Sequence, residues 1–173
     1  MTRRAYHEVL EELDLLQLLA RYEPTVIGTP PLGIDVSTRD IDIACTAEDL
    51  RQFEEDAQRL FSHHAAFAVS DLHWLQTPAV KASFFVHDWE VELFCQALPI
   101  HEQWGVRHFV IEQRILELVP QLREPVIALK HSGLKTEPAF AWQLALEGDP
   151  YEAMLELENL SDEELVALAS QPM

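Results

Sequence analysis

Apolar residues recur at helical spacing from about Arg4 to Tyr22. Val9, Leu10, Leu13, Leu16 and Leu19 or Ala20 would share one stripe, and Pro24 ends the run. Thr25 to Gly28 reads as a short apolar strand. Thr29 to Asp35 is expected to be irregular, because two prolines and Gly33 interrupt it. Asp40 to Cys45 (DIDIAC) alternates polar and apolar, the pattern of a half-buried strand. Thr46 then reads as an N-cap, with Asp49 in the place of the capping-box acid. The helix it opens would run to about Ser62 on Leu50, Phe53, Ala57, Leu60 and Phe61. His63 and His64 close that helix. Ala66 to Leu75 predicts a strand, and Pro78 breaks it. Ala79 to Val86 and Trp89 to Cys95 predict a hairpin that turns at His87-Asp88.

From Glu102 the pattern is helical. Helices are expected at Trp104–Leu118, Pro120–Ser132, Glu137–Leu146, Pro150–Leu157 and Asp162–Ser170. Thr136 and Ser161 read as N-caps, with Glu164 at the capping-box position and Gly133 as a stop. Strands first and helices after indicate an α+β fold: a small mixed sheet flanked by helices, with a C-terminal helical part. Residues 1–100 would form the α/β core. Residues 101–173 would form a helical region packed on it as one unit.

Composition narrows the function. A chain of 173 residues that is 48% hydrophobic can bury a core of its own. It has no run of 18 apolar residues to cross a membrane, and its N-terminus lacks the apolar centre of a secretory signal. Cys45 and Cys95 form no metal spacing and no disulfide framework, so a reduced, cytoplasmic setting is expected. Thirty acids against 12 Lys and Arg give a net charge of -18. Such a surface opposes tight binding of long nucleic acid, and it repels anionic substrates unless cations offset it.

The candidate chemistry lies in PTVIGTPPLGIDVSTRDIDIAC, residues 24–45. Asp40 and Asp42 are two apart on a strand, so both point to one face. Carboxylates held that close repel unless a cation sits between them, and hard divalent ions such as Mg²⁺ take oxygen ligands together with substrate phosphates. In WEVELF, Glu90 and Glu92 also share a face, and either could supply a third acid. Glu92 is favoured because it lies deeper in its strand. Gly28 and Gly33 allow close backbone approach or positive φ, and the Thr29 hydroxyl and nearby amides can hold phosphate oxygens. No Gly-Lys-Ser/Thr follows, so this is not a Walker-type loop.

Gly28-Thr29, Gly33 and Asp40-Ile41-Asp42, followed by an acid on a later strand, resemble the signature of the DNA polymerase β-like nucleotidyltransferase superfamily. GTPPLGID, ELFCQ, GVRHFVIEQRILEL, SGLKTEPAFA and GDPYEA further resemble a small bacterial family of nucleotidyltransferase-like proteins, over about Leu10 to Leu157. The resemblance implies that Asp40, Asp42 and Glu92 (or Glu90) bind metal, with two Mg²⁺ expected. It also implies that Gly28 and Thr29 hold the phosphates of an NTP, with ATP expected. Thr29 stands for the usual serine. Arg39 stands where a small serine often precedes the first aspartate, and it would either touch a phosphate or weaken metal binding.

Other residues have weaker claims beside ordinary structural roles. His108 and Glu112 share a helix face and could line a pocket, or form an interhelix hydrogen bond. Lys81, Lys130 and Lys135 are rare cations in an acidic chain, suited to a triphosphate or to plain ion pairs; Lys135 is taken into the nucleotide-binding set. Trp74, Trp89, Trp104 and Trp142 are expected in the core rather than stacked on a base. The leading expectation is a metal-dependent transfer of a nucleoside monophosphate to a small-molecule or protein hydroxyl. The alternative is a non-catalytic, antitoxin-like binding protein of the same fold, with the acidic stretch Glu152 to Glu164 as an interaction helix. A metal-dependent phosphohydrolase would use a similar cluster.

Overall fold

The computed structural model describes residues 4–36, 40–73 and 76–170. The chain divides into two units, Met1–Pro30 with Arg39–Val106, and Pro31–Thr38 with Arg107–Met173.

The first unit is built on a five-stranded mixed sheet in the order β1-β2-β5-β4-β3. Its strands are β1 (Thr25–Ile27), β2 (Asp40–Thr46), β3 (Ala65–Asp71), β4 (Ala79–Val86) and β5 (Trp89–Gln96). Strands β2 and β5 run parallel; the other pairs are antiparallel. The alternation read from the sequence is the alternation of burial. Ile41, Ile43, Val91, Leu93, Ala82 and Phe84 enter the core, and the residues between them face the other way.

The short helices α1 (Tyr6–Glu12) and α2 (Leu15–Leu18) and the longer α4 (Leu50–Phe61) cover the core face. Phe53, Ala57 and Phe61 bury the expected stripe of α4. Phe61 stacks on Phe84 of β4 with ring centroids 4.9 Å apart. His64 stacks on the same Phe84 at 4.8 Å. Asp56, on the same helix, is buried because Tyr22 donates its hydroxyl to it at 2.5 Å and Arg59 pairs with it at 2.8 Å. Those bonds hold the Asp56 carboxyl below its usual range, and burial pushes the Tyr22 hydroxyl up.

Several expected elements differ. The single first helix is interrupted at Asp14, which takes a left-handed φ of 50°. Asp tolerates that region through local hydrogen bonding better than most residues. The break shifts the phase of the stripe, so Leu15 and Leu19 are buried while Leu16 is 41% exposed. Residues Thr29–Leu32 form a helical turn, α3, rather than irregular chain; prolines are acceptable in a first turn, where their missing N–H has no partner to lose. Thr46 is not the cap of α4. It ends β2 and donates its hydroxyl to the Leu98 carbonyl at 2.7 Å, while Asp49 caps the helix by accepting from the Gln52 amide. Trp74 and Leu75 lie outside the described residues, and β3 ends at Asp71.

The second unit is helical. It contains most of α5 (Trp104–Leu118), then α6 (Arg123–His131), α7 (Thr136–Gln143), α8 (Pro150–Glu156) and α9 (Asp162–Ala169). Leu32, Ile34, Ile111, Ile115, Val126, Phe140, Met154 and Leu165 belong to its core. Pro120–Leu122 is a 3₁₀ turn ahead of α6, and Lys135 rather than Thr136 holds the cap position of α7. The Ser161–Glu164 capping box forms as expected, with reciprocal bonds of 3.2 and 2.8 Å. Trp89 is buried, but Trp104 is 53% and Trp142 65% exposed, against the expectation of core packing. Among the described residues no helix is long and apolar enough to cross a membrane.

Candidate functional site

The face of the sheet opposite the apolar core carries the acids. On β2 these are Asp40 and Asp42; on β5 they are Glu90 and Glu92. The parallel register sets Asp40 beside Glu90 and Asp42 beside Glu92. Four acidic residues thus stand side by side on two adjacent strands, all of them partly buried. The cost appears at Asp42, whose carboxyl is pushed up to about 7, first by burial and then by the charges of Glu92 and Asp40. Glu92 weighs more on Asp42 than Glu90 does, in keeping with the register.

The glycine loop approaches the same point from β1. Ile27 pairs with Asp42, and Gly28 follows with φ +82°. A Cβ placed on Gly28 would collide with Asp42 Oδ2 and stand 3.3 Å from Asp42 Cγ. Glycine is required there twice, by the left-handed backbone and by the contact with the carboxylate. Thr29 opens α3 directly after it.

Among the described residues, Lys81 is a cation that reaches this cluster. Its Nζ donates to Glu92 Oε1 at 2.5 Å, and its charge partly offsets the rise at Asp42. The sequence singles out Lys81 only as a rare cation. The signal for its contact is the hairpin: a two-residue turn at His87-Asp88 sets Ser83 opposite Glu92 and Lys81 opposite Phe94, one diagonal step from Glu92 on the same face.

The donor set fits a hard divalent ion in kind, being wholly carboxylate oxygen, and the charges of Glu92 and Asp40, which add to burial in raising Asp42, are ones a cation there would offset. Among the described residues, however, no three His, Cys, Asp or Glu side chains converge as they stand to surround an ion. Glu92 is turned to Lys81 instead. Arg39 lies outside the described residues.

The remaining candidates belong to the helical unit. Gly33, at φ +66°, turns the chain between buried Leu32 and Ile34, and Arg123 donates to the Leu32 carbonyl beside it. Lys135 is exposed. His108 and Glu112 are buried, as is Lys130. His108 Nε2 meets the Tyr151 carbonyl at 2.8 Å, and its Nδ1 lies 3.9 Å from Glu137. Lys130 donates to Thr136 Oγ1 at 2.9 Å. Burial, with Glu137 nearby, drives the Glu112 carboxyl well above its usual range, and its Oε1 has no hydrogen-bond partner among the described residues. Burial likewise lowers the Lys130 ammonium, against the pull of Glu112, Glu137 and Asp35. His108 and Glu112 therefore belong to a buried polar cluster in which Lys130 and Glu137, not paired with them from sequence, are further members.

Solved structures share this fold. A cytoplasmic RNA terminal U-transferase is similar over 86% of this chain and 44% of its own, at 16% identity and a TM-score of 0.54. The Cid1 poly(U) polymerase with Mg 3'-dATP bound is similar over 89% of this chain and 48% of its own, at 14% identity and a TM-score of 0.55. Cid1 in complex with the UTP analog UMPNPP gives 15% identity and a TM-score of 0.53 over 89% and 48%. The chain thus spans less than half the length of these proteins, and at such identity the likeness is one of fold: a mixed, nucleotidyltransferase-like sheet flanked by helices. No curated protein sequence matches the chain significantly. A family model, described as a domain of unknown function (DUF4269), matches residues 8–157, nearly the whole chain, and the protein belongs to that family.

Proposed function

We propose that this protein transfers a nucleoside monophosphate from an NTP, with ATP the first candidate, to a hydroxyl of a small molecule or protein. The observation that carries this is the juxtaposition of Asp42 with Glu92 and with the Gly28 backbone on one face of a nucleotidyltransferase-like sheet. Asp40, Asp42 and Glu92 would hold up to two Mg²⁺, with Glu90 as the neighbouring acid. The metal would supply neutralisation of the charge that builds on the phosphoryl oxygens. Gly28 and Thr29 would hold phosphate oxygens through backbone amides and the hydroxyl, and Gly33, Arg39 and Lys135 complete the proposed nucleotide-binding set. Glu92 would also take the proton of the acceptor hydroxyl as a general base. The acidic surface, with its net charge of -18, favours a small or protein acceptor in the cytoplasm over long nucleic acid.

The experiment is incubation with labelled NTPs, Mg²⁺ and candidate acceptors, beside titration of nucleotide binding. Metal-dependent binding in the natural protein and its loss in Asp40→Asn and Asp42→Asn are expected. Binding that is absent, or unchanged in both variants, sinks the proposal. The Lys81–Glu92 pair favours a second function, a non-catalytic binding protein in which Lys81 replaces the metal. Co-purification of a stable protein partner without any Mg²⁺ or NTP affinity would decide for it.

A further inference from the structure

Glu92 is paired with Lys81 at 2.5 Å, although its strand register sets it beside Asp42. Asp40, Asp42, Glu90 and Glu92 bring four carboxyl groups to two neighbouring strands, and Lys81 is a cation in contact with Glu92. Its side chain is 36% exposed and that of Glu92 28%. The ammonium therefore has a route to solvent, on a flexible methylene stem. A divalent ion needs the lone pairs of Glu92 turned toward Asp42. An ammonium bonded to Oε1 competes for the charge of the same carboxylate and leaves Oε2 as its other donor oxygen.

Resting on the proposed metal-dependent transfer at this site, we infer that Lys81 is a built-in counter-ion for the metal-free protein: it holds Glu92 until a divalent cation displaces it, and so sets the affinity of the site for metal. The physical logic is exchange. Without a cation, the crowded carboxylates destabilise the sheet face, and Lys81 offsets part of that repulsion. A metal must draw the Glu92 charge away from Lys81, so metal binding is weaker than the acids alone would give. Lys81 contacts neither nucleotide nor acceptor in this role; it acts through Glu92 as a regulatory charge.

The experiment compares Mn²⁺ binding, read by electron paramagnetic resonance, in the full-length natural protein, Lys81→Met, Lys81→Arg and Asp42→Asn. Lys81→Met is expected to bind Mn²⁺ roughly five- to tenfold tighter, the factor released when a partly exposed ion pair no longer has to be broken. Lys81→Arg, which keeps the charge, is expected to stay within about twofold of the natural protein. Equal affinity in the natural protein and Lys81→Met overturns the inference while leaving the metal site intact. Lys81→Arg binding as tightly as Lys81→Met also overturns it, since charge is then not the cause. No Mn²⁺ binding in any form, Asp42→Asn included, overturns the metal site and this inference with it. Should Lys81→Met fail to fold, the natural protein decides. The Lys81 ammonium resonances should show a hydrogen bond to Glu92 that disappears at saturating Mg²⁺; resonances unmoved by Mg²⁺ overturn the inference.

Discussion

Gly28 carries the most demanding single position. Its φ of +82° and the collision that any Cβ there would make with Asp42 Oδ2 leave no room for a side chain. Gly28→Ala is expected to cost about 1–3 kcal/mol in urea unfolding, because the strain and the clash add. It should also displace Asp42, so metal-dependent nucleotide binding should fall with stability. Glu112 gives a prediction of opposite character. Its buried carboxyl holds its proton in the folded protein well above the pH at which the unfolded chain releases it. A raised folded value means that the contribution to stability is full below the unfolded pKa and is lost as pH rises through the folded one. Stability of the natural protein should therefore fall from about pH 4.5 toward pH 8, and Glu112→Gln should flatten that fall. At pH 8 the variant is expected to be more stable than the natural protein in thermal or urea unfolding. A variant that loses stability equally at both ends of the range would contradict it.

At the scale of elements, α4 backs the sheet on the face opposite the acids. Phe61 is fully buried and stacks on Phe84 of β4, a strand two places from the one that carries Asp42. Phe61→Ala is expected to cost about 3–5 kcal/mol by leaving a cavity in that layer, measured by chemical denaturation. The fold should survive at low temperature, since the other aromatic and aliphatic partners of the sheet remain. In the helical unit, the acidic stretch from Glu152 to Glu164 is partly consumed in packing. Arg107 pairs with Glu158 at 2.7 Å and Arg114 with Asp162 at 2.6 Å, both from α5. Those bonds tie the segment after α8 and the start of α9 to the helix beside them, which weakens the expectation of a free interaction helix.

For the whole molecule, charge is the governing quantity. With 30 acids against 12 Lys and Arg, there is little to neutralise a phosphate chain. Single-stranded RNA should bind more weakly than roughly 100 µM at physiological salt, read by fluorescence anisotropy, because non-specific affinity rests on cation–phosphate contacts. Submicromolar RNA binding would argue for a polynucleotide acceptor, and against the small or protein acceptor proposed above.

The sequence by itself determined which residues share a face. Period-two alternation in DIDIAC and WEVELF put the four acids on one side of their strands, because successive side chains on a strand point to opposite faces. The two-residue turn at His87-Asp88 made the β4–β5 register readable as well, and the Ser161–Glu164 box announced α9. Three things were left to the tertiary structure. The first was the partner of Asp42: sliding β5 by two residues along β2 keeps every face and exchanges Glu92 for Glu90. The observed register, which sets Ile41 beside Val91 and Ile43 beside Leu93, is fixed by tertiary contacts that the period-two pattern does not contain. The second was the break at Asp14, where core contacts of Leu15 and Leu19 outweigh an unbroken helical pattern. The third was the burial of Glu112 and Lys130, since a helix face is dry or wet according to the helices packed against it. Local pattern thus set the faces, and contacts between segments distant in sequence decided which charges meet.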